Sequence, residues 1–337
     1  EKLSEKQSLL YELDKIHELI NFNERVKNEN RLMIGREQEL EQLFLTLCKK
    51  EKNNVLLIGK AGVGKTALVE KLAYKINQKE VPALLQNKVI YELSLSSIVA
   101  GTKYRGEFEE KFKKLIDKVI QAKDAILFID EIHNLIGAGG AEGAIDASNI
   151  LKPFLARKDL TLIGATTIEE YYQYFEKDQA MNRRFSILKI NENTKEETKD
   201  ILLGLKKQYE NYHHIHIPNE RLDEIIDLCD QYLLSRVFPD KALDVLDLSC
   251  VKAIFQNEQV LQTCHIEKVI EEISGSCLQE SSYLDIEQTL HQHIIGQQEA
   301  IHQLVESLES LAQYPHSHRP KGVYLLTGSP GLGKNET

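Results

Sequence analysis

The hydrophobic pattern of this chain changes in character near residue 191. Before that point, short β-branched runs alternate with stretches whose apolar residues recur at helical spacing. Five strands separated by helices indicate an open, parallel α/β sheet. The strands are predicted over 55–58, 89–93, 126–129, 161–165 and 185–190. A crossover helix is predicted between the second and third strands from the apolar residues Phe108, Phe112, Leu115, Ile116, Val119 and Ile120.

After residue 191 the pattern is mostly helical. Thr194 followed three residues later by Glu197 is typical of a capping box that begins a helix. The leading residues also have helical spacing and predict a helix with a connector. Further helices are predicted over 222–234, 242–254 and 266–273. These patterns divide the chain into a leading helix and linker (1–30), a large α/β unit (31–192) and a small helical unit (193–276).

The chain begins the same pattern twice. Residues 33–38 (MIGREQ) lead through a helical stretch to the strand and glycine at 54–59. Residues 294–299 (IIGQQE) lead in the same way to 322–328. Such an internal repeat indicates a tandem architecture. We therefore expect residues 277–337 to be a linker and the truncated start of a second module, and the chain to be a fragment of a longer protein.

Composition narrows the class of protein. The 337 residues are 42% hydrophobic and 28% charged, which is typical of soluble globular protein in two or three packing units. No apolar run reaches the roughly 20 residues of a membrane helix, and the charged leading residues do not resemble a signal peptide, so a cytoplasmic location is expected. Five scattered cysteines favour reduced thiols over disulfides or a zinc site. The net charge of -10 argues against nucleic acid as a partner.

Residues 59–66 (GKAGVGKT) match the pattern GxxxxGK[ST] between an apolar strand and a helix. The glycines allow backbone N–H groups to turn inward and cradle phosphates at the helix N-terminus. Lys65 adds a positive charge for the β- and γ-phosphates, and the Thr66 hydroxyl can bind Mg²⁺. The loop predicts a nucleotide site.

Two acids and two arginines predict that the nucleotide is hydrolysed. Asp130 and Glu131 end an apolar strand, where Asp130 would hold Mg²⁺ through water and Glu131 would orient the attacking water. Two threonines (166–167) end the next strand, where a γ-phosphate or the attacking water could be contacted. Arg183 and Arg184 precede the last strand, and an arginine supplied to a neighbouring subunit's γ-phosphate stabilises transition-state charge.

Taken together, these residues resemble the Clp-type AAA+ protein unfoldases, in particular the first ATPase module of ClpA-, ClpC- and ClpE-like proteins. The resemblance covers about 32–248 and begins again at residue 294. Besides the phosphate loop and the acidic pair, it depends on residues 101–106 (GTKYRG), 137–144 (GAGGAEGA), 164–167 (GATT), 175–178 (FEKD) and 238–242 (FPDKA).

The resemblance implies an AAA+ fold, in which a P-loop domain with a five-stranded parallel sheet precedes a small helical lid. It also implies ATP and Mg²⁺ as cofactors, Thr167 as the sensor residue, and Arg183 and Arg184 as arginine fingers acting in trans. The nucleotide-binding residues it implies are Ile34, Gly59, Gly62, Val63, Gly64, Lys65, Thr66, Ala67, Asp240 and Lys241. The pore loop it implies for contact with a substrate polypeptide contains Lys103, Tyr104 and Arg105, with 137–144 as a second loop.

The same resemblance implies the function of an ATP-hydrolysing unfoldase that forms a hexameric ring and threads unfolded or tagged proteins through its pore. A ClpP-like peptidase and an adaptor are implied partners; nucleic acid and membranes are not. Two departures qualify it. No coiled-coil insertion stands between 251 and 293, which argues against a ClpB-like disaggregase. Asn335 replaces the threonine of the second phosphate loop, which puts the activity of the second module in doubt.

Two other functions are considered. A DNA-directed AAA+ ATPase, of the clamp-loader or helicase-loader type, would share the acids and arginines. Such a protein would need a basic surface in place of the loop at 101–106. A nucleotide-gated scaffold would bind ATP without hydrolysing it; Glu131 and Arg183 argue against this in the first module. The histidines near 213–216 are interpreted as exposed residues at helix ends, because neither cysteines nor an HExxH pattern accompany them.

Overall fold

The computed structural model describes residues 2–29, 34–100, 105–135, 148–157, 160–275, 290–291, 298–312, 323–325 and 327. The chain divides into two compact units. The first contains Glu1–Tyr212 and Arg236–Asp244, and the second contains His213–Ser235 and Val245–Thr337. Within the described part of the chain, no helix combines the length and the apolar character that a membrane span requires.

The first unit contains all the strands of the described sheet and most of the helices. Up to the phosphate loop its elements are α1 (Lys2–Asp14), β1 (Leu19–Asn21), α2 (Phe22–Glu29), α3 (Glu37–Leu47) and β2 (Asn54–Ile58). They continue as α4 (Lys65–Asn77), β3 (Val89–Leu93), α5 (Leu95–Ala100), α6 (Arg105–Gln121), β4 (Ala125–Ile129) and a 3₁₀ turn (Ile132–Leu135). The remainder is α7 (Ser148–Arg157), β5 (Leu162–Thr166), α8 (Ile168–Glu170), a π-helical turn (Tyr171–Phe175), α9 (Gln179–Asn182), β6 (Phe185–Lys189) and α10 (Lys195–His213).

The sheet has six strands in the order β1-β3-β4-β5-β2-β6. The five predicted strands are confirmed, and they pair in parallel. The structure adds β1, which pairs antiparallel with β3 and places Leu19 opposite Leu93. The sequence predicts that the leading helix extends to Ile20 and that a connector begins at Asn21, whereas the structure has β1 over Leu19–Asn21 and a further helix, α2, over Phe22–Glu29. A strand of three residues is too short to show an alternating pattern, and the Asn and Lys residues that follow it are more typical of a connector than of a helix. The predicted α/β fold is confirmed, with one additional edge strand.

Helices cover both faces of the sheet and form two hydrophobic cores. Side chains of α1, α6 and α7 pack on one face, and those of α2, α3 and α4 pack on the other. Every residue of β2, β4 and β5 is buried. Because both faces of a parallel sheet are covered, its central strands have continuous apolar sequences, which is why the pattern revealed them.

The second unit is helical in its described residues. Its helices are α11 (Asn219–Tyr232), most of α12 (Asp240–Phe255), α13 (Thr263–Ser274) and α14 (Gln298–Ala312). The interpretation that the histidines are exposed is wrong for His213, which is only 8% exposed. Its Nε2 lies 2.6 Å from Asp247 Oδ1, so a carboxylate on α12 provides the partner that its burial requires.

The predicted capping box at the start of α10 is present. The backbone N–H of Glu197 donates to Thr194 Oγ1 at 3.2 Å, and the N–H of Thr194 donates to Glu197 Oε2 at 2.9 Å. Two backbone donors that a helix end leaves without partners are satisfied in this way.

Phe22 on α2 tests whether the leading segment belongs to the core of the first unit. Its ring is fully buried and lies 5.6 Å from that of Phe128. We expect Phe22→Ala to lower the free energy of unfolding by about 3–5 kcal/mol, because it removes a buried ring and leaves a cavity. Ile187→Ala is the control, because Ile187 on β6 is 49% exposed. Urea unfolding followed by circular dichroism compares the two variants, and equal losses would contradict the assignment.

Candidate functional site

The phosphate loop has backbone conformations that require glycine. Gly62 and Gly64 have φ angles of 81° and 91°, which residues with a side chain rarely adopt. A Cβ atom on Gly59 would clash with the carbonyl oxygen of Ile190, and one on Gly62 would lie 2.8 Å from Cβ of Asp240. The loop is therefore a tight turn, enclosed by neighbouring backbone and by Asp240, at the N-terminus of α4.

Lys65, the first residue of α4, extends its ammonium group back along the loop. Its Nζ donates to the carbonyl oxygens of Gly59 and Lys60, both at 2.9 Å. Burial lowers the pKa of Lys65, and the nearby carboxylates of Asp130 and Glu170 oppose this shift. The ammonium is thus held within the loop that the sequence assigned to phosphates.

Thr66 and Asp130 meet although they follow different strands of the sheet. The Thr66 hydroxyl donates to Asp130 Oδ2 at 2.8 Å, while Oδ1 of the same carboxylate accepts the N–H of Glu131 at 2.9 Å. A hydroxyl and a carboxylate oxygen at this separation are the hard oxygen ligands that Mg²⁺ prefers. The donor set fits the predicted metal.

Glu131 has a backbone conformation that is unusual for its residue type. Its φ angle is 46°, in the left-handed region that non-glycine residues rarely occupy. Its carboxylate accepts a hydrogen bond from the side-chain amide of Asn134 at 3.2 Å. Strain of this kind persists where the surrounding structure enforces it and is frequent in active sites. Asn134 was not predicted, since a single polar residue in a 3₁₀ turn leaves no pattern.

Thr167 is held by a network that the sequence analysis missed. Its hydroxyl donates to Glu170 Oε2 at 2.8 Å, and His133 Nδ1 lies 2.9 Å from the same oxygen. Burial alone would raise the pKa of Glu170, but hydrogen bonds from Thr167 and the nearby His133 hold that pKa below its usual value. Thr167 and Glu170 form a capping box that begins α8, and this spacing was the signal in the sequence.

The functional side chains line one cavity of about 790 Å³ in the first unit. Six of the ten residues predicted to bind nucleotide are in its wall, together with Asp130, Glu131 and Thr167. The lining residues are Ile20, Ala61, Gly62, Gly64, Lys65, Thr66, Ala67, Glu92, Leu93, Ser94, Leu95, Ser96, Asp130, Glu131, Asn134, Thr166, Thr167, Glu170, Pro239, Asp240 and Leu243.

The other four predicted nucleotide-binding residues lie outside this lining. Gly59 and Val63 belong to the loop but contribute a carbonyl to Lys65 and a buried side chain, respectively. Ile34 packs so closely on Gly204 of α10 that a Cβ atom there would clash with Cδ1 of Ile34. Lys241 is buried, with Nζ 4.1 Å from the ring centroid of Phe238.

None of the predicted trans-acting and substrate-contacting residues that the structure describes is in the lining of this cavity. Arg183 caps the C-terminus of α9 and is exposed, and Arg184 beside it is half-buried; neither is in the described lining of the cavity. Arg105 is the first residue of α6. Lys103, Tyr104, residues 137–144 and Asn335 lie outside the described residues.

Family models match both parts of this arrangement. Residues 55–192 match the ATPase family associated with various cellular activities (AAA). Residues 194–306 match the AAA lid domain. The fold is that of an AAA ATPase, a class of proteins that bind ATP.

Individual relatives define the branch of that class. The chain is 52% identical, over 64% of its length and 27% of the relative's, to the chaperone protein ClpB of Oceanobacillus iheyensis. It is 37% identical, over 90% of its length and 46% of the relative's, to the ATP-dependent Clp protease ATP-binding subunit ClpC of Staphylococcus epidermidis. The chain belongs to the Clp-type AAA+ ATPases, as the resemblance predicted. It spans less than half the length of these two relatives.

A solved structure has the same fold. It is a closed-state cryo-EM reconstruction of Hsp104 with ATPγS and FITC casein, and it matches 86% of this chain and 52% of its own with a TM-score of 0.77 and 35% identity. The two chains are therefore similar in sequence as well as in fold.

Gly62 provides a test of the loop geometry. Gly62→Ala adds a methyl group 2.8 Å from Cβ of Asp240 at a φ angle of 81°, so we expect weaker binding of a fluorescent ADP by at least about tenfold. Gly275→Ala is the matched control, because Gly275 has a φ angle of 69° and nothing within 4 Å of its added Cβ. If both variants keep the affinity of the wild type, the loop does not bind the phosphates as described.

Glu92 in the cavity wall gives a pH-dependent test. Burial raises the pKa of Glu92, although Arg25, with Nη1 3.7 Å from Glu92 Oε2, partly opposes the shift. The folded state therefore favours the neutral acid, and its contribution to stability is lost as the pH rises through the folded-state pKa. We expect Glu92→Gln to raise Tm at pH 7 and to leave Tm unchanged below a pH of about 3, where the acid is neutral in both states.

A control of opposite sign accompanies this test. Glu110 is fully exposed, and its hydrogen bond with Lys114 lowers its pKa, so Glu110→Gln should lower Tm slightly at pH 7. Differential scanning fluorimetry across the pH range measures both variants. A Glu92→Gln effect that does not depend on pH would contradict the role assigned to burial.

Proposed function

We propose that this chain is an ATP-hydrolysing module of a ring-forming protein unfoldase, with its nucleotide in the cavity at the carboxyl edge of the sheet. The observation that carries the proposal is the convergence of the phosphate loop, the Thr66–Asp130 pair and Glu131 on one cavity. The similarity to Clp ATPases over 90% of the chain supports it.

Each residue of the cavity has a role in the proposed hydrolysis. Lys65 and the inward N–H groups of the loop bind the β- and γ-phosphates. Thr66 and Asp130 would hold Mg²⁺, which neutralises charge on the phosphate oxygens when bound. Glu131, oriented by Asn134, aligns the attacking water and accepts its proton. Thr167 contacts the γ-phosphate once its hydroxyl leaves Glu170.

The arginines would act on a neighbouring subunit. Arg183 is exposed and outside the described lining of its own cavity, which suits a side chain supplied to the next copy in a ring. We propose Arg183 and Arg184 as these fingers and six copies as the ring. We also keep, as a proposal, the limits that the sequence pattern indicates for the units (1–30, 31–192, 193–276 and 277–337).

The substrate is proposed to be unfolded or tagged polypeptide. The Hsp104 reconstruction contains casein, and the ClpC relative is named as the ATP-binding subunit of a protease. We extend the polypeptide substrate and the link to a protease to this chain. The loop of Lys103, Tyr104 and Arg105 would contact the polypeptide. A ClpP-like peptidase and an adaptor would be partners of the chain in the cytoplasm. The relatives described above favour this function over a DNA-directed ATPase.

ATP hydrolysis at increasing protein concentration tests the proposal. We expect the specific rate to rise with concentration, because arginine fingers act only between subunits, and to change when unfolded casein is added. Glu131→Gln should lower the rate by about 10²–10⁴-fold, since it removes the general base but keeps the shape of the site. Arg183→Ala should lower it by about 10³-fold or more.

A mixing experiment separates trans action from a local defect. Combining the Glu131→Gln and Arg183→Ala chains should restore activity above either alone, because some interfaces then join an intact Glu131 to an intact Arg183. Mixing the Arg183→Ala chain with a chain carrying both substitutions is the control and should restore nothing. A rate that is indifferent to concentration, casein and mixing would contradict the ring, and nucleotide binding without hydrolysis would favour the scaffold.

A further inference from the structure

The segment that leads into α3 is held by contacts with several other parts of the first unit. We name residues 34–37 the strap. Gly35 and Arg36 both have φ angles in the left-handed region, 77° and 65°, and Arg36 precedes the first turn of α3. A left-handed arginine is unusual. This conformation accompanies a largely buried side chain that is 10% exposed, and the contacts of that side chain explain its burial.

The guanidinium of Arg36 joins α3, the phosphate loop and the connection between β6 and α10. Its Nη1 donates to Glu39 Oε1 at 2.8 Å. Its Nη2 lies 3.1 Å from the carbonyl oxygen of Val63, 2.6 Å from that of Asn191 and 2.5 Å from Asn193 Oδ1. Since Nη2 has two hydrogens, these three acceptors share them.

The contact with Val63 bears on how phosphates are held. In a trans peptide, the carbonyl of one residue and the N–H of the next point in opposite directions. Arg36 binds the Val63 carbonyl and is not among the described residues that line the cavity, so the N–H of Gly64, which faces the other way, is directed toward the cavity. Gly64 lines the cavity, and the side chain of Val63 is 1% exposed, so this peptide has little freedom to turn.

The other acceptors of Arg36 lie in the connection between β6 and α10, and this connection also contacts the segment that packs against Gly62. Glu192, beside Asn191 and Asn193, accepts the backbone N–H of Phe238 at 2.9 Å. Phe238 is two residues before Asp240, whose Cβ lies against Gly62. The connection between β6 and α10 therefore contacts both Arg36, which binds Val63, and the segment of Asp240, which packs against Gly62.

We propose that Arg36 is a positioning residue for nucleotide: it orients the Val63–Gly64 peptide toward the phosphates and links that peptide to residues 191–193. It touches neither substrate nor metal. The inference rests on the proposed binding of ATP at residues 59–66, and it adds a determinant of affinity that lies outside the motif.

Lys71 provides the matched control. It is a buried cation on α4 that binds the same strap, donating to the Gly35 carbonyl oxygen and to Glu37 Oε1. None of its described contacts is with the phosphate loop. If the strap matters only as a structural anchor, losing either cation should reduce stability and nucleotide affinity in the same proportion.

The experiment measures the Kd of a fluorescent ADP and the Tm of the wild type, Arg36→Met, Arg36→Lys and Lys71→Met. All titrations are done well below the lowest Tm. We expect Arg36→Met to weaken ADP binding by about tenfold or more, because a charge-assisted hydrogen bond to the loop is lost. Arg36→Lys should recover part of this loss, because its ammonium keeps the positive charge. The recovery should be incomplete, because one ammonium reaches fewer acceptors than the guanidinium does. Lys71→Met should lower Tm, because it removes a buried cation and its hydrogen bonds. It should keep Kd within about twofold of the wild type, because none of the described contacts of Lys71 is with the phosphate loop.

Two results would overturn the inference: an Arg36→Met chain that binds ADP within about twofold of the wild type, or a Lys71→Met chain that loses as much affinity as Arg36→Met for the same loss of Tm. The Lys65→Ala chain separates this from failure of the proposed function. If wild type and Lys65→Ala bind ADP equally, the nucleotide site itself is wrong and the inference falls with it.

Discussion

The parallel register of the central strands is the constraint on which the site depends. β5 lies between β4 and β2, and all three end at the same edge of the sheet. The phosphate loop follows β2, the acidic pair follows β4, and Thr166 ends β5. Residues distant in sequence therefore meet at one edge, with a 2.8 Å hydrogen bond between Thr66 and Asp130 as the direct result. This is the edge at which ligands bind in open α/β sheets.

The charged side chains in the described lining of the cavity are mostly acidic, so the binding of a nucleotide depends on the few cations that are present there. Glu92, Asp130, Glu131 and Glu170 all line it, whereas Lys65 is the only basic residue in the described lining. A triphosphate brings further negative charge. A divalent ion between the phosphates and the Thr66–Asp130 pair would relieve this repulsion, which is a physical reason for metal and nucleotide to bind together.

The strands and the phosphate loop were predictable because each has a pattern of several residues. β2, β4 and β5 are continuous apolar runs since both of their faces are buried, and the loop has glycines where positive φ angles are needed. β1 was not predictable, because three residues show no period. In α7, Pro153 argues against a helix interior, yet the helix forms around it.

Single polar residues were the least predictable part of the site. Arg36 and His133 act through contacts with residues far along the chain, and no spacing in the sequence reports such contacts. Glu170 differs, because its capping-box spacing with Thr167 was visible. The motifs thus located the groups that we propose to contact the nucleotide, whereas the residues that orient those groups became evident only in the three-dimensional structure.

We assign to Thr66 and Asp130 the binding of the metal that accompanies ATP in this cavity. Isothermal titration calorimetry of ATP binding, with and without Mg²⁺, tests it most directly in the Glu131→Gln background, where ATP is not consumed. We expect that Mg²⁺ tightens ATP binding and that adding Thr66→Val removes most of this gain while affinity without metal is kept. An affinity that is insensitive to Mg²⁺, or a gain that survives Thr66→Val in full, would contradict it.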